Sequence, residues 1–290
     1  MTGIGGDESS SKHTSPSYDA TVFVDAPVKP PTAIAFWNPR RGLLAGGTTV
    51  WLTTDGGQRT RVVLRTRRRV IALQAFGTAG AIVDLTAARA LRTVDGGRTW
   101  TRFRHVFHAD FVNAREGIGV RPGRFGAVRG LVRTADGGRT WRPAGAVCRG
   151  RPFGVIVELV TPRLGWTICL SQPGAGNQLK TVFRTADAGR TWHRLRGDLG
   201  SYGYGEGASF APDGFGLVWE GRGTLWVTQD GGDHWTPKPK IAQPEIDFGG
   251  GASTFTGGRG LVLLWRGGGA AHLVATRDFG RTWRVVRRWG

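Results

Sequence analysis

The sequence predicts an all-β chain closed into a single β-propeller, and three observations carry that prediction. One short segment recurs six times at nearly even spacing. Each copy has the chemistry of a tight hairpin turn. Each is also preceded by a second hydrophobic hairpin of constant form.

The recurring segment is TTDGGQRT (53–60), TVDGGRTW (93–100), TADGGRTW (134–141), TADAGRTW (185–192), TQDGGDHW (228–235) and TRDFGRTW (276–283), with the common form Thr-x-Asp-x-Gly-x-Thr-Trp. Its aspartates, Asp55, Asp95, Asp136, Asp187, Asp230 and Asp278, are 40, 41, 51, 43 and 48 residues apart. That period is one four-stranded blade per copy. Asp followed by Gly between alternating runs marks a hairpin, because the carboxylate accepts from the turn's own N–H groups and glycine supplies the positive φ. The tryptophan then serves as a packing anchor beneath the turn. The first copy is degenerate, with Arg59 and Thr60 in the Thr and Trp slots, and the fifth has His234 for Thr. Such lapses are expected of the end units of an array.

The upstream half reads as a strand ending in an aromatic or Leu, a short turn and a Gly-led strand, as in ADFVNAREGIGV and VELVTPRLGWTICL. Each unit therefore supplies strands A to D, running outward from the axis. Six blades are expected, at about 30–68, 69–106, 107–147, 148–198, 199–240 and 241–290, within a propeller spanning 21–290. Residues 1–20 read as a flexible polar tail. The run TVFVDA (21–26) is one further strand, which either closes the ring or opens an irregular seventh blade, the alternative count.

The six Thr-x-Asp-x-Gly-x-Thr-Trp segments resemble the BNR or Asp-box repeat of the sialidase-like superfamily. The closest resemblance is to photosystem II assembly factor-like propellers, a group that includes bacterial exported proteins. The resemblance implies a propeller in which the boxes are structural. These families share the turn and not the chemistry, so it specifies no activity.

A sialidase-type enzyme implies an Arg-Ile-Pro segment, an arginine cluster, a Tyr nucleophile paired with Glu, and an Asp acid/base. The chain has no Arg-Ile-Pro and three tyrosines, Tyr18, Tyr202 and Tyr204, the last two in one loop with Glu206. Aligned first hairpins put Ala35, Asp110, Glu158 and Ser209 at one position facing the channel. Asp110 and Glu158 there suit either a carboxylate pair for glycoside hydrolysis or a water-bridged polar lining. The catalytic candidates are thus Asp110, Glu158, Tyr204 and Glu206. No Cys/His pattern has metal spacing and no glycine loop precedes a helix, so neither metal nor cofactor is expected. A non-enzymatic binding or assembly protein is the favoured function, with a sialidase-like glycoside hydrolase as the alternative.

Strand direction puts the A–B and C–D turns on one face, and the B–C turns and interblade connections on the other. The long loops, 144–154, 171–179, 196–206 and 237–249, belong to the second face. Loops carry function more often than scaffold does. The expected contacts are therefore Arg149, Arg151, Lys180, Tyr202, Tyr204, Glu206, Lys238 and Lys240. Cys148, in the connection into blade 4, and Cys169, near the end of that blade's B strand, are expected to form a disulfide, which implies an oxidising compartment. Two unpaired thiols are the alternative.

Net charge is +19, from 40 Lys and Arg against 21 Asp and Glu, and 35 of the 40 are arginine. Arg98, Arg139, Arg190 and Arg281 lie in the boxes, and RTRVVLRTRRR (59–69) falls on an outermost strand, where arginine blocks edge pairing. A charge so distributed favours anionic polymers in general, and basic and stacking groups do not interleave as specific nucleic-acid binding requires. A protein or an anionic cell-envelope polymer is the expected partner, and the chain is expected to be monomeric. No apolar run has the length of a membrane helix, and no signal or anchor is visible. Export to the envelope is the expected location, with the cytoplasm as alternative.

Overall fold

The computed structural model describes residues 30–86, 89–103, 107–122, 128–148, 152–197, 199–221, 224–238, 246–266 and 269–290. The strand expected at 21–26 lies outside them.

Among the described residues, twenty-four strands form six four-stranded antiparallel sheets. Blade 1 holds β1 (Ala33–Phe36), β2 (Gly42–Gly46), β3 (Thr49–Thr53) and β4 (Arg61–Arg65). Blade 2 holds β5 (Val70–Phe76), β6 (Gly80–Leu85), β7 (Arg89–Thr93) and β8 (Thr101–Phe103). Blade 3 holds β9 (Phe107–Phe111), β10 (Gly117–Pro122), β11 (Val128–Thr134) and β12 (Arg142–Pro143). Blade 4 holds β13 (Gly154–Leu159), β14 (Gly165–Leu170), β15 (Lys180–Thr185) and β16 (His193–Arg194). Blade 5 holds β17 (Gly205–Phe210), β18 (Gly216–Glu220), β19 (Thr224–Thr228) and β20 (Thr236–Lys238). Blade 6 holds β21 (Ile246–Phe255), β22 (Arg259–Arg266), β23 (Ala270–Thr276) and β24 (Arg284–Trp289).

The first strand of each blade packs on the first strand of the next, and β21 packs on β1, so the ring is closed. Closure comes from side chains, since no described strand crosses between blades. Phe36 N donates to Ser253 Oγ (3.1 Å), and Arg287 Nη1 donates to the carbonyls of Gly57 (3.0 Å) and Gln58 (2.9 Å).

The core is not one central mass but six layers, one per blade junction. Leu44 and Trp51 of blade 1 meet Leu263 and Leu273 of blade 6; Val50 and Leu64 meet Val83 of blade 2; the other four junctions repeat the scheme. Both faces of each sheet are therefore buried. That explains fully buried strands such as β2, which read as continuous apolar runs rather than alternating ones.

The recurrent aromatic and glycine of the first hairpin are cross-strand partners: Phe36 with Gly42, Phe76 with Gly80, Phe111 with Gly117, Leu159 with Gly165 and Phe210 with Gly216. The ring lies over the glycine, and a Cβ on Gly80 would fall within the Phe76 side chain.

In all six blades the second-hairpin turn donates an N–H to a first-hairpin carbonyl at 2.7–2.9 Å, from Gly56 to Arg40 through Phe279 to Gly258. These two sets of turns therefore share a face, here the turn face, leaving the longer connections on the opposite, loop face. Within each Thr–Asp turn the threonine is the hub. Thr185 Oγ1 accepts from Gly189 N (2.9 Å) and donates to Asp187 Oδ1 (2.8 Å), which also accepts from Thr191 N (2.8 Å). Thr53, Thr93, Thr134, Thr228 and Thr276 repeat the arrangement. Asp187 and Asp278 are held at about 2, first by the Thr191 and Thr282 hydroxyls. At Asp95 and Asp230, also about 2, burial pushes upward and is outweighed by the hydrogen bonds.

The tryptophans sit beneath their own turns as the sequence suggests, with Trp100 and Trp283 donating to Gly97 O (3.2 Å) and Gly280 O (3.1 Å), and they do more. They are also half-buried wedges against the preceding blade. Trp100 Nε1 donates to Val63 O of blade 1 (3.2 Å), and Trp235 packs with Trp166 and Val182 of blade 4. The degenerate first copy has Thr60 in that slot; its turn carbonyls are bonded by Arg287 of the last strand, and Trp289 of the same strand joins the cluster between blades 6 and 1.

Candidate binding site on the loop face of blades 4 and 5

The B–C loop of blade 4 and the connection into blade 5 are joined into one platform. Gln178 N donates to Ser201 O (2.6 Å), Gly203 N to Gly176 O (3.0 Å), and Gly205 N to the Gln178 side-chain oxygen (3.0 Å). Gln178 is buried and its amide donates to Ser171 O (3.0 Å).

Lys180 lies beneath this platform. Its Nζ is 2.8 Å from Glu220 Oε1 and donates to the carbonyls of Gln178 (2.9 Å), Tyr202 (3.2 Å) and Gly203 (3.2 Å). Both side chains are wholly out of solvent. Burial pushes the Glu220 carboxyl upward, and the Lys180 ammonium opposes that shift. An unaccompanied buried charge is costly, so the pair and its three carbonyls form a single unit that orders both loops. Lys180 is therefore not the surface contact that the sequence suggests: its charge is spent inside.

Cys148 and Cys169 form the expected disulfide, with Cα atoms 5.4 Å apart. It ties the connection into blade 4 to β14, next to the platform.

Above this support, apolar side chains face solvent. Phe153, Leu179, Tyr202 and Tyr204, with Ile71 from blade 2, are between 39 and 64% exposed. Among the described residues Val94, in a Thr–Asp turn, is the one other large hydrophobic so exposed. Ile71, Phe153 and Tyr204 also line the channel, a cavity of about 1970 Å³.

The expected contacts thus divide. Tyr202, Tyr204 and Glu206 come together at the platform, and Lys238 lies apart on the outermost strand of blade 5. Arg149, Arg151 and Lys240 fall outside the described residues. Sequence reasoning missed Phe153, Leu179 and the Lys180–Glu220 pair. Phe153 and Leu179 were visible as apolar residues inside otherwise polar loops, whereas nothing local links residues 180 and 220.

Asp110 and Glu158 line the channel close to the turn face. Asp110 Oδ2 accepts from Leu159 N (2.5 Å), Glu158 Oε1 accepts from Ser209 Oγ (3.4 Å), and Ser209 Oγ accepts from Thr254 N (3.1 Å). With Ser253 and Phe36, these bonds stitch the inner strands of blades 3, 4, 5, 6 and 1. Ala35 and Ala75 occupy the matching position in blades 1 and 2, where no such stitch is possible. Burial pushes Asp110 up to about 7. Burial, and then the nearby Asp110 charge, raise Glu158 well above the carboxylate range.

The outer arginines are exposed at Arg98, Arg139, Arg190 and Arg281. Arg92 instead is half-buried among the rings of Phe76, Phe103 and Phe111, and it donates to Gly137 O (2.9 Å) and to Ala114 O, bridging blades 2 and 3.

Fold and site define a six-bladed propeller with a braced apolar platform at one channel mouth. No family model matches the sequence, and no curated protein does. Among solved structures the chain is similar to YCF48 bound to D1 peptide, at 18% identity and TM-score 0.53, covering 94% of this chain and 86% of that one. It is similar to the GH74 xyloglucanase from Xanthomonas campestris, at 14% identity and TM-score 0.51, covering 89% of this chain and 47% of that one; the chain spans about half that enzyme's length. It is equally similar to U3-55K, at 8% identity and TM-score 0.55, covering 93% and 84%. Likeness to proteins so diverse establishes the fold. No helix among the described residues is long and apolar enough to cross a membrane.

Proposed function

We propose that this chain is a non-enzymatic binding or assembly propeller that holds a protein segment on the loop face of blades 4 and 5. One observation carries the reading: among the described residues, five of the six exposed large apolar side chains lie on the loop face, three of them lining a channel mouth braced by a buried ion pair and a disulfide. Exposed apolar clusters mark interaction sites, aromatic anchors dominate interface energetics, and pre-organisation lowers the entropy cost of binding. That YCF48 is a propeller with a bound peptide is consistent with it. The six Thr–Asp turns are read as Asp boxes with a structural role. The disulfide fits an exported, envelope-located chain, whose arginine-rich exterior adheres to anionic polymers in a salt-dependent way.

A photo-crosslinking residue at position 204, in cells that produce the protein, is expected to capture a protein partner. The same residue at position 94, on the turn face, is expected to capture none. Equal capture at both positions contradicts the reading.

The second reading, a glycoside hydrolase, draws on the neighbouring Asp110 and Glu158 carboxyls in the channel. Both, however, sit among structural hydrogen bonds and share an upward shift. A hydrolase separates its acid from an ionised partner. Turnover of fluorogenic glycosides, abolished by Glu158→Gln, would make the hydrolase reading the correct one.

A further inference from the structure

Among the described residues the channel is lined by more acidic than basic side chains, the reverse of the whole chain. The chain has 40 basic residues and 21 acidic ones. Yet Asp84, Asp110, Glu158 and Glu206 line the cavity, and among the described residues Arg259 is the one Lys or Arg that does. Arg259 pairs across the hairpin with Phe255 and so belongs to the turn-face end. Asp84, near the end of β6, and Glu206, near the start of β17, lie toward the loop face. The nearby Lys180 is already neutralised by Glu220. Deeper in, Glu158 Oε2 is buried with no hydrogen-bond partner, while Oε1 accepts from Ser209.

Resting on the docking reading above, we infer that the segment entering this mouth is cationic. It is an extended stretch in which a Lys or Arg accompanies apolar side chains, the apolar groups meeting Phe153 and Tyr204 and the charge entering the channel toward Glu158 and Asp110. The cavity, about 1970 Å³, exceeds the roughly 300–1,000 Å³ typical of small-ligand pockets, which favours a chain segment over a metabolite. From Tyr204 to the level of Ser209 is five positions along the innermost strand, or about 17 Å at ~3.3 Å per residue, so about five extended residues reach the carboxyls. An anion brought to Asp110 and Glu158 meets two carboxyl groups and loses its hydration. A cation gains a charge-assisted partner. The exterior arginines act little inside, because exposed charge is screened over about 8 Å at physiological salt.

The inference carries a pH signature. The Asp110–Glu158 pair holds a proton near neutrality, and an entering cation displaces it, so binding tightens as pH rises. The other titratable and charged groups around the pair are His108 on β9, Asp84, Glu206, Arg259 and the exposed Arg121 on β10.

The test uses the full chain and two fluorescent peptides of about eight residues, enough to cover the rim and the five inward positions. They are identical except for Lys or Glu at one site among apolar residues, and anisotropy is read at pH 6, 7 and 8. The Lys peptide is expected to bind at least about tenfold more tightly, the scale of one charge-assisted contact, and to tighten from pH 6 to 8. Glu158→Gln, which keeps a side-chain acceptor, is expected to lose that preference. Tyr204→Ala is expected to weaken both peptides. Equal or better binding of the Glu peptide, still sensitive to Tyr204→Ala, overturns the charge inference and leaves the docking reading standing. A Lys preference that survives both Glu158→Gln and Asp110→Asn removes the channel carboxyls as its cause and overturns the inference. Should neither peptide bind at millimolar concentration, the docking reading falls as well.

Discussion

Thr185 is fully buried, and its hydroxyl both accepts the Gly189 N–H and donates to Asp187, so one oxygen joins the two halves of the turn. Replacing it with Val keeps the shape and leaves a buried N–H without a partner. Thr185→Val is expected to cost about 1–3 kcal/mol in urea unfolding. The carboxyls it helps to order titrate in a defined sense. Asp95, Asp187, Asp230 and Asp278 have folded-state values of about 2, below their ordinary 3.8, so the unfolded chain binds more protons between those limits. Stability is then complete above about pH 4 and falls as pH drops toward 2. Asp110 runs the other way. Its folded-state value of about 7 means the native state holds an extra proton between pH 3.8 and 7, and stability falls as pH rises through that window. Asp110→Asn is expected to flatten that decline in melting temperatures taken from pH 4 to 8. An unchanged slope would assign the decline to other groups.

At the scale of the element, each hairpin is secured from within by its Thr–Asp bonds and also from the neighbouring blade. Trp100 bonds Val63 across the junction and is half-buried there, so Trp100→Ala is expected to cost about 2–3 kcal/mol, below the ~3–5 of a fully buried tryptophan. The disulfide is the comparable device on the loop face. It closes a sequence separation of 21 residues, and in the chain-entropy model its loss costs about 3 kcal/mol. Thiol reductant is expected to lower the melting temperature of the native chain and to leave that of the Cys148→Ser/Cys169→Ser variant unmoved. Equal sensitivity of the two would show the bond to be energetically idle.

The whole molecule is a ring whose ends meet through side chains. Trp289 is buried in the cluster that joins blades 6 and 1, and Arg287 beside its ring bonds the first Thr–Asp turn, which lacks its tryptophan. Trp289→Ala is expected to cost about 3–5 kcal/mol. It is also expected to speed amide exchange first in β1 and β24, the strands flanking the closure, as measured by hydrogen–deuterium exchange. Because buried layers lie between blades and not at the axis, the centre stays open. The channel can therefore differ in charge from the exterior without disturbing the packing.

What the sequence determined by itself was local and repeated. Six Thr-x-Asp-x-Gly turns, and the aromatic and glycine of each first hairpin, specify four strands per unit, because their bonds close within a few residues or across one strand pair. Cys148–Cys169 was legible for a related reason: strand direction alone brings the loop into blade 4 and the end of β14 to one face. Tertiary structure decided everything that depends on two blades meeting. It turned the tryptophans toward the preceding blade, placed Arg92 among three rings, and drew Lys180 inward to Glu220, so that a residue read as a surface contact became the brace beneath the platform. Only the closed ring brought Asp84, Asp110, Glu158 and Glu206, from four different blades, to one channel. The physical reason is common to these cases: a turn is defined by neighbours in the chain, whereas burial and electrostatic sign are defined by neighbours in space.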